Sequence, residues 1–455
     1  MRKMFLLVLV LPLFVTAQKK QVTLEDIYKR GTFRGEAVRA SFDTSNTSSQ
    51  IKAADVKKPD GTPIGDLEDI SPTTQPNLFI VRNGIEKIYR YSTRAYAYVY
   101  DVATKKTIMA DTGKVMYPEL SPDGSKLAFV EDNNLYIKNL ADNSLKAVTT
   151  DGKWNQVING NADWVYEEEF TLIRAYQWSP KGDNLAYYRF DESKVKEYQF
   201  TQFDNAHNSQ YTYKYPKAGD DNSTIEIHIY NLTSGKDVKA QFEQGDIYIP
   251  RIKWTTDDRS LVVFWMNRHQ NELKLLLTDP QTGASNILYQ EKNKYFIDIN
   301  DDWQFLKNGK DYVFTSEMNG FNQIYLYSMD GKTKTQLTKS KFDVADLNGI
   351  DEVNKRVYYT LAYPRPMDRN LFVTDFDGKK TYQLTEGEGW HRVDLNDDFT
   401  KFYDFRSDIN TPQVVTLNEV VTSKKNEISA KLVKTISESA KQKAVMDEYA
   451  LGKAE

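Results

Sequence analysis

SPDGSKLAF, residues Ser121–Phe129, consists of a short polar turn followed directly by an apolar run. SPKGDNLAY, residues Ser179–Tyr187, repeats this stretch almost residue for residue, and TTDDRSLVV, residues Thr255–Val263, repeats it again. A turn rich in Pro, Asp and Gly between two apolar or alternating runs is typical of a β-hairpin. The sequence therefore predicts a strand–turn–strand unit that recurs along the chain.

The spacing of these turns indicates the architecture. Looser copies begin at residues 307, 354 and 396, so the six turns start 58, 76, 52, 47 and 42 residues apart. Repeats of about 40–50 residues with several strands each are typical of propeller blades, and the 29 tyrosines favour strands over helices. With a divergent blade between Asn77 and Thr112, the prediction is an all-β propeller of at least seven blades. A β-sandwich array is the alternative, but it explains the shared turn poorly.

Several segments depart from the repeat. The two longer gaps hold insertions, one with an acidic motif and one over the polar stretch Gln199–Ser223. Ser41–Thr74 is rich in Ser, Thr, Asp, Pro and Lys, which predicts a loop or a poorly packed outer edge. After Lys424 apolar residues recur at helix-like spacing, at Ala430, Leu432, Val433, Ile436 and Ala440. We therefore expect a propeller over residues 18–423 and a short helical connector over residues 424–455.

The first residues have the pattern of a secretory signal peptide. Arg2 and Lys3 precede the apolar run Met4–Val15, and small residues at 15–17 offer a cleavage site before Gln18. The apolar run is too short to span a bilayer comfortably, although an uncleaved N-terminal anchor is the alternative. The sequence thus predicts a signal peptide over residues 1–17 and an exported protein, periplasmic or extracellular.

Composition excludes several classes of function. The chain has no cysteine, which rules out disulfides, thiolate metal sites and a cysteine nucleophile. Its formal charge of −4 would become −6 without Arg2 and Lys3, and it shows no basic cluster, so we expect no nucleic-acid partner. The four histidines, His207, His228, His269 and His391, show no metal-ligand spacing. We predict no metal site and no cofactor.

The acidic motif is Asp163-Trp164-Val165-Tyr166-Glu167-Glu168-Glu169-Phe170. Aromatic and aliphatic residues on both sides of the three glutamates predict that part of the run is held against a packed wall. Crowding carboxylates in a poorly solvated place is costly unless a cation shares them. A primary ammonium, such as a peptide N-terminus, has a suitable size and number of donors. The composition thus suggests an amine-binding site, while a solvated acidic turn is the alternative.

The string Asp163–Glu169 closely resembles the signature of the dipeptidyl peptidase IV family of serine exopeptidases. Tyr89-Arg90-Tyr91-Ser92-Thr93-Arg94-Ala95 resembles that family's Tyr-Arg-x-Ser-x-x-Ala segment, and Thr315–Tyr327 resembles a framework strand pair. The family usually has histidine near Gln323, a departure of little chemical consequence. The resemblance runs from about Val22 to Glu455 and implies an eight-bladed propeller.

The resemblance also implies roles for individual residues. Glu168 and Glu169 would grip the free N-terminus of a peptide substrate, and Arg90 would reach into the same cleft and orient a substrate carbonyl. Glu167 would be structural, with Tyr166, Trp164 and Asp163 in support. A strand-edge arginine paired with a nearby carboxylate is the alternative for Arg90. Homodimers are also expected by resemblance.

The nucleophile of the family is missing from this sequence. Family members carry serine, aspartate and histidine on a C-terminal α/β-hydrolase domain, with the serine in a Gly-x-Ser-x-Gly elbow. These 455 residues contain no Gly-x-Ser-x-Gly. The interpretation is therefore the substrate-binding propeller of a longer dipeptidyl peptidase, without catalytic residues and inactive alone. Two alternatives stay open: a freestanding propeller that binds peptides or proteins, and an unrelated exported propeller with incidental glutamates.

Overall fold

The structure is a computed structural model that describes residues 19–42, 51–204 and 206–452. The predicted signal peptide lies outside the described residues and stays a prediction. The internal contacts divide the chain into two compact units. The larger unit comprises Asp43–Lys341 with Phe376–Gly378, and the smaller unit comprises Met1–Phe42, Phe342–Asp375 and Lys379–Glu455.

The larger unit contains five antiparallel sheets of four or five strands in its described part. The first has β1 (Asp69–Pro72), β2 (Leu78–Lys87), β3 (Thr93–Asp101) and β4 (Thr107–Met109). The second has β5 (Met116–Leu120), β6 (Lys126–Glu131), β7 (Asn134–Asn139) and β8 (Leu145–Ala147). Within each of these two sheets every strand pairs with the next strand along the chain.

The next three sheets follow the same plan with additions. The third has β9 (Val157–Asn159), β10 (Tyr176–Trp178), β11 (Asn184–Asp191), β14 (Thr224–Asn231) and β15 (Asp237–Lys239). The separate hairpin β12 (Glu197–Gln202) and β13 (Ser209–Lys214) is inserted between β11 and β14. The fourth has β16 (Ile247–Tyr248), β17 (Ile252–Trp254), β18 (Leu261–Asn267), β19 (Glu272–Thr278) and β20 (Ser285–Lys292). The fifth has β21 (Gln304–Phe305), β22 (Asp311–Ser316), β23 (Gln323–Ser328) and β24 (Lys334–Gln336).

The smaller unit has two further four-stranded sheets. One has β25 (Val344–Asp351), β26 (Arg356–Leu361), β27 (Asn370–Asp375) and β28 (Thr381–Gln383), and the other has β29 (Trp390–Leu395), β30 (Lys401–Ser407), β31 (Val414–Thr422) and β32 (Ile428–Ser437). The described helices of the chain are α1 (Leu24–Tyr28), α2 (Trp164–Phe170), α3 (Ala440–Asp447) and a 3-10 turn at Ala53–Asp55. Successive antiparallel sheets of this kind are those of a β-propeller, which confirms the predicted fold class. The blade number of eight stays a prediction.

In the three closest copies of the turn, a hydroxyl side chain at the first position, that of Ser121, Ser179 or Thr255, accepts a hydrogen bond from the backbone N–H five residues later. Ser121 donates a hydrogen bond from Oγ to Asp123 Oδ1 at 2.5 Å, and Thr255 donates from Oγ1 to Asp257 Oδ1 at 2.7 Å. Gly124 takes the left-handed conformation that this turn requires, at φ +71°. These side chains satisfy backbone groups that the tight reversal leaves unpaired. As predicted, the turns join neighbouring strands of one sheet.

The core of the larger unit lies between neighbouring sheets. Phe190 of β11, Phe264 of β18 and Phe314 of β22 are fully buried and belong to one continuous apolar cluster. Close-packed aromatic side chains from successive sheets hold each sheet in a defined place relative to the next within this unit. Side chains on the third sheet are therefore held by a rigid scaffold.

The helical prediction for the C-terminal segment is correct only near its end. Helix α3 is present at Ala440–Asp447, but the preceding apolar residues lie on strand β32. Two register shifts in the pairing of β31 with β32 leave Val433 and Ile436 as extra, unpaired residues. Such bulges break the two-residue alternation of a strand. The apolar residues of this edge strand are therefore spaced like those of a helix.

The Ser41–Thr74 prediction is also only partly correct. In its described part, β1 forms the edge of the first sheet, and Val56 and Ile64 are buried against Phe79 and Tyr98. Two isolated apolar residues are too few to mark a packed segment in the sequence.

Among the described residues, no helix is both long enough and apolar enough to cross a membrane.

Candidate functional site

The three glutamates lie on the short helix α2, which the polar residue before it stabilises. Asp163 is the N-cap residue and accepts a hydrogen bond from the N–H of Tyr166 at 2.9 Å. Ser223 Oγ donates to the other oxygen of the Asp163 carboxylate at 2.6 Å. At the other end Thr171 has the left-handed conformation, at φ +52°, that commonly terminates a helix. A seven-residue helix is thus fixed at both ends.

One face of α2 is packed into the core. Val165, Tyr166 and Phe170 are buried, and the Tyr166 ring lies 5.0 Å from Phe190 and 5.2 Å from Phe170. The Tyr166 hydroxyl accepts a hydrogen bond from the N–H of Ile249 at 2.8 Å. The sequence prediction that part of the acidic run is held against a packed wall is therefore confirmed, since Glu167 is buried and Glu169 is exposed. The supporting residues Asp163, Tyr166 and Trp164 all belong to this helix or its cap.

Glu167 is the buried member of the acidic run, with a relative exposure of 1%. Its Oε1 accepts hydrogen bonds from the backbone N–H groups of Tyr91 and Ser92, at 2.7 and 3.0 Å. Tyr91 and Ser92 belong to the turn between β2 and β3 that carries Arg90. Glu167 therefore joins the helix to the Arg90 turn across 75 residues of sequence.

Glu168 and Arg90 form an ion pair next to this joint. Arg90 Nε lies 2.9 Å from Glu168 Oε2 and 3.1 Å from Oε1. The Glu168 side chain is only 15% exposed, whereas the Arg90 side chain is 65% exposed. The structure therefore brings together two of the residues that the sequence selected. The alternative given for Arg90 was a strand-edge arginine paired with a carboxylate; Arg90 has such a partner but lies on the turn between β2 and β3.

Glu169 lies on the exposed side of the helix and lines a different cavity from Glu168. The cavity at Glu169 measures about 350 Å³ and is lined also by Trp164, Arg251 and Arg268. Arg251 contacts Asp301 at 2.7 Å, and Arg268 contacts Asp246 at 3.1 Å, so both guanidinium groups are ion-paired. Trp164 is part of the lining of both cavities.

The cavity at Glu168 was not foreseen from the sequence. It measures about 680 Å³ and is lined by Arg90 and Glu168, by the aromatic residues Tyr89, Trp154, Trp164, Phe200, Tyr211 and Tyr213, and by Lys87, Ile88, Arg94 and Gln202. We call it the aromatic cavity. Phe200, Tyr211 and Tyr213 belong to the inserted hairpin β12–β13 and lie in Gln199–Ser223, a stretch judged polar from its overall composition. The signal that could have found it is the alternation of aromatic residues on each strand.

No metal site accompanies these groups. In residues 19–42, 51–204 and 206–452, no three His, Asp or Glu side chains are grouped closely enough to hold a metal ion. His228 lies between Asp237 and Glu226, at 2.9 and 3.2 Å, and His391 is buried against Asp404. These two histidines therefore have carboxylate partners within their own sheets.

Comparison with known proteins identifies the family. Residues 75–413 match the family model described as the dipeptidyl peptidase IV N-terminal region, which is well over half of the chain. The chain belongs to the dipeptidyl peptidase IV family. The crystal structure of Porphyromonas gingivalis dipeptidyl peptidase 4 is similar, with a TM-score of 0.82 and 30% identity over 94% of this chain and 64% of that one.

Curated members of the family align with the same region. Dipeptidyl peptidase 4 of Trichophyton rubrum is 28% identical over 311 residues, covering 64% of this chain and 40% of the relative. A probable dipeptidyl-aminopeptidase B of Ajellomyces dermatitidis is 27% identical over 350 residues, covering 69% of this chain and 38% of the relative. The chain thus spans about two fifths of the length of the curated relatives it matches. This membership excludes the unrelated propeller considered above.

This dipeptidyl peptidase IV family member also has a buried carboxylic acid near Asp163 that the sequence analysis did not predict. Glu192 follows β11 and is only 4% exposed. Burial, reinforced by the nearby charges of Asp163 and Asp191 and opposed by that of Lys214, raises the pKa of Glu192 to about 8. Burial also raises the pKa of Asp163, and this effect is larger than that of the hydrogen bonds from Ser223 and Tyr166, which lower it. A lone glutamate in a polar sequence gives no sign of this burial.

We expect the stability of the fold to decrease as the pH rises from 4.5 to about 8, because Glu192 keeps its proton over this range in the folded state. The unfolded chain loses the proton near pH 4.5 and the folded chain near pH 8, so between these values the folded state binds more protons. The free energy of unfolding should therefore decrease with rising pH, by an amount on the order of a few kcal/mol. Urea unfolding at pH 5 and pH 8 measures it, and Glu192→Gln should flatten the dependence. Equal pH dependence in both proteins would contradict this assignment.

Proposed function

We propose that this propeller binds the free N-terminus of peptide substrates for a dipeptidyl peptidase. The observation that carries the proposal is the fixed position of Glu168. Its carboxylate is mostly shielded, borders an open cavity, and is paired with a cation that is itself largely exposed. A carboxylate held in this way can accept a second, incoming cation at little cost in reorganisation.

A peptide α-ammonium suits the two outer glutamates. It offers three donors, and charge-assisted hydrogen bonds to carboxylates are among the stronger polar contacts in proteins. The amine would lie near Trp164, between Glu168 and Glu169, because Trp164 lines the cavity of each of these glutamates. Arg90 would offset part of the negative charge and orient the first carbonyl of the substrate.

Anchoring the amine on a rigid helix also fixes the distance from the substrate's N-terminus to the nucleophile. A nucleophile held at a fixed place beyond the glutamates would meet the peptide after its second residue, which yields dipeptides and rejects blocked N-termini. We propose that an α/β-hydrolase domain supplies this nucleophile in the full-length protein, because the chain holds no Gly-x-Ser-x-Gly. The propeller alone is then a binding module without peptidase activity, exported to the periplasm or the exterior.

Binding of a matched pair of peptides tests the proposal. The tripeptide Ala-Ala-Gly and its N-acetyl form differ in the charge and donors of the α-amine and in the added acetyl group. By titration calorimetry the free tripeptide is expected to bind this chain at least about 30-fold more tightly, since a lost charged partner at a shielded carboxylate costs about 2 kcal/mol or more. Equal affinities would refute the proposed role of the glutamates. Tight binding by a native protein that lacks any hydrolase domain would favour a freestanding peptide receptor.

A further inference from the structure

The strand at the edge of the fourth sheet is long compared with its counterparts in the larger unit. Strand β20 has eight residues, whereas the last strands of the other four sheets, β4, β8, β15 and β24, have three each. Within the described residues β20 pairs with β19 alone. Edge strands present unpaired backbone groups, and proteins usually keep such strands short or protect them. β20 is therefore an open strand edge.

The hydrogen bonds at the two ends of the β19–β20 pair define which backbone groups point outward. The N–H of Asp279 donates to the C=O of Ala284 at 2.9 Å, and the N–H of Asn293 donates to the C=O of Asn271 at 2.9 Å. In an antiparallel pair, residues that exchange hydrogen bonds alternate with residues that do not. Counted inward from both ends, past the single register shift of the pair, the residues whose N–H and C=O groups point away from β19 are Ser285, Ile287, Gln290 and Lys292.

The composition of β20 does not protect this edge. Its first six residues, Ser285–Gln290, carry no charge, and Ile287 is 58% exposed. The other long edge strand, β32, has two register shifts and carries Lys431 and Lys434, which are common means of preventing strand pairing. β20 has one register shift, and its charged residues lie only at its end. The edge is therefore suited to pairing with a further strand.

A groove runs along this edge. We call it the edge groove: one wall is the run Ile287–Lys292, and the other is formed by Tyr312, Met318, Tyr327, Gly331 and Lys334. Side chains of a strand alternate between two faces, so six consecutive residues line one wall only if the backbone edge itself faces the groove. The groove measures about 430 Å³. A strand laid along β20 would therefore lie against aromatic and apolar side chains.

The edge groove has room for one strand. Neighbouring strands of a sheet lie about 4.8 Å apart, and residues of the fifth sheet form the far wall of this space. A second copy of this chain would have to bring the edge of a whole sheet, together with that sheet's neighbours, into the same place. A single extended segment is therefore the occupant that fits.

The charged groups that border the groove favour an acidic occupant. Lys292 and Lys334 both line it, and the side chain of Lys292 is 65% exposed. The carboxylate in the lining, that of Glu291, is buried and accepts two hydrogen bonds from hydroxyl groups, at 2.7 and 2.9 Å. The charges that an occupant would meet are therefore those of the two lysines.

We propose that the edge groove binds an extended segment of a partner protein, which pairs with β20 as an additional strand and carries apolar side chains flanked by acidic residues. Main-chain hydrogen bonds to β20 supply affinity in this mode of recognition, and the side chains that enter the groove supply specificity. The interaction is independent of the proposed binding of substrate amines at Glu168 and Glu169.

A synthetic peptide blocked at both ends tests the proposal. Ac-Glu-Thr-Val-Thr-Val-Thr-Glu-NH2 has alternating apolar residues and acidic ends, and it lacks the free amine that the proposed substrate site requires. By titration calorimetry it is expected to bind this chain saturably. Ile287→Asp is expected to weaken this binding at least about tenfold, because it removes an apolar contact and repels the acidic ends.

Matched variants control for this substitution. Leu145→Asp is expected to leave the affinity unchanged, because Leu145 is similarly exposed, at 45%, but lies on the three-residue edge strand β8. Lys334→Glu is expected to weaken binding about threefold or more through charge alone. All three residues are exposed or line an open groove, so the variants should fold, which thermal unfolding verifies.

N-methylated peptides test for strand pairing itself. Methyl groups on the two valine nitrogens block one edge of the peptide, and methyl groups on the nitrogens of the second and third threonines block the opposite edge. A strand pairs with β20 through one edge only, so one of these two peptides is expected to lose affinity at least about tenfold, from two lost hydrogen bonds. The other is expected to keep most of its affinity.

The remaining outcomes would overturn the proposal. These are the absence of saturable binding, binding that Ile287→Asp leaves unchanged, and equal effects of the two methylations. A dimer of this chain in sedimentation velocity that Ile287→Asp dissociates would assign the groove to a second copy instead. Binding of Ala-Ala-Gly is expected to be the same in Ile287→Asp and the unaltered chain, so the failure of this proposal is distinguishable from a failure of the amine site.

Discussion

Replacing Glu168 by glutamine is expected to weaken binding of free-amine peptides by about 30-fold to several thousand-fold, corresponding to about 2–5 kcal/mol. The substitution keeps the shape of the side chain but removes the charge that faces the incoming ammonium. Because the partner Arg90 is largely exposed, the lost ion pair should cost little stability. The measurement is calorimetric titration with Ala-Ala-Gly, and in the full-length protein the specificity constant for dipeptide release.

Companion variants define which carboxylate matters. Glu169→Gln is expected to act in the same direction, and Arg90→Ala more mildly, since Arg90 is exposed and in the proposal would orient the substrate without holding its amine. Glu243→Gln is a suitable control, because Glu243 forms an exposed ion pair with Lys274 at 3.2 Å in the same unit and lines neither of the two cavities. Near-normal binding in both Glu168→Gln and Glu169→Gln would contradict the assignment.

Glu167→Ala is expected to abolish peptide binding almost completely and to destabilise the fold, although we expect Glu167 to make no contact with the substrate. The change leaves the N–H groups of Tyr91 and Ser92 without their acceptor, and each unsatisfied buried group costs about 1–3 kcal/mol. The turn that carries Arg90 would then lose its buried attachment to α2 and keep only the Arg90–Glu168 ion pair. Urea unfolding should show a loss of about 2–5 kcal/mol, alongside a loss of affinity for Ala-Ala-Gly.

A conservative variant separates positioning from charge at this residue. In Glu167→Gln the amide oxygen can still accept both N–H groups, so most of the stability and affinity should return. If Glu167→Gln lost affinity as fully as Glu168→Gln while staying stable, Glu167 would have to act through its charge, and the positioning role would be wrong.

The sequence predicted the propeller because its turns are local. Within the five residues Ser121–Ser125, the side chains of Ser121 and Asp123 form the hydrogen bonds of the turn, and Gly124 adopts its left-handed conformation. The turn can therefore be recognised from this short stretch of sequence alone. The C-terminal strand was missed for the opposite reason. The pattern at Val433 and Ile436 depends on bulges that only pairing with β31 reveals.

The candidate site was predictable only in part. The apolar neighbours of the glutamates correctly predicted a packed wall, and the family resemblance selected Arg90 and Glu168, which the structure joins. Neither source indicated that Glu168 and Glu169 border separate cavities. The bond from Glu167 to Tyr91 and Ser92 and the aromatic cavity both depend on contacts between distant segments, and a single sequence does not encode such contacts in any local pattern.

The central claim is that Glu168 and Glu169 hold the α-amine of a peptide. The measurement that tests it most directly is a crystal structure of this chain with bound Ala-Ala-Gly. The account predicts that the α-nitrogen lies within hydrogen-bonding distance, about 3 Å, of both carboxylates. A peptide bound elsewhere, or one whose α-amine faces solvent away from Glu168 and Glu169, would contradict the account.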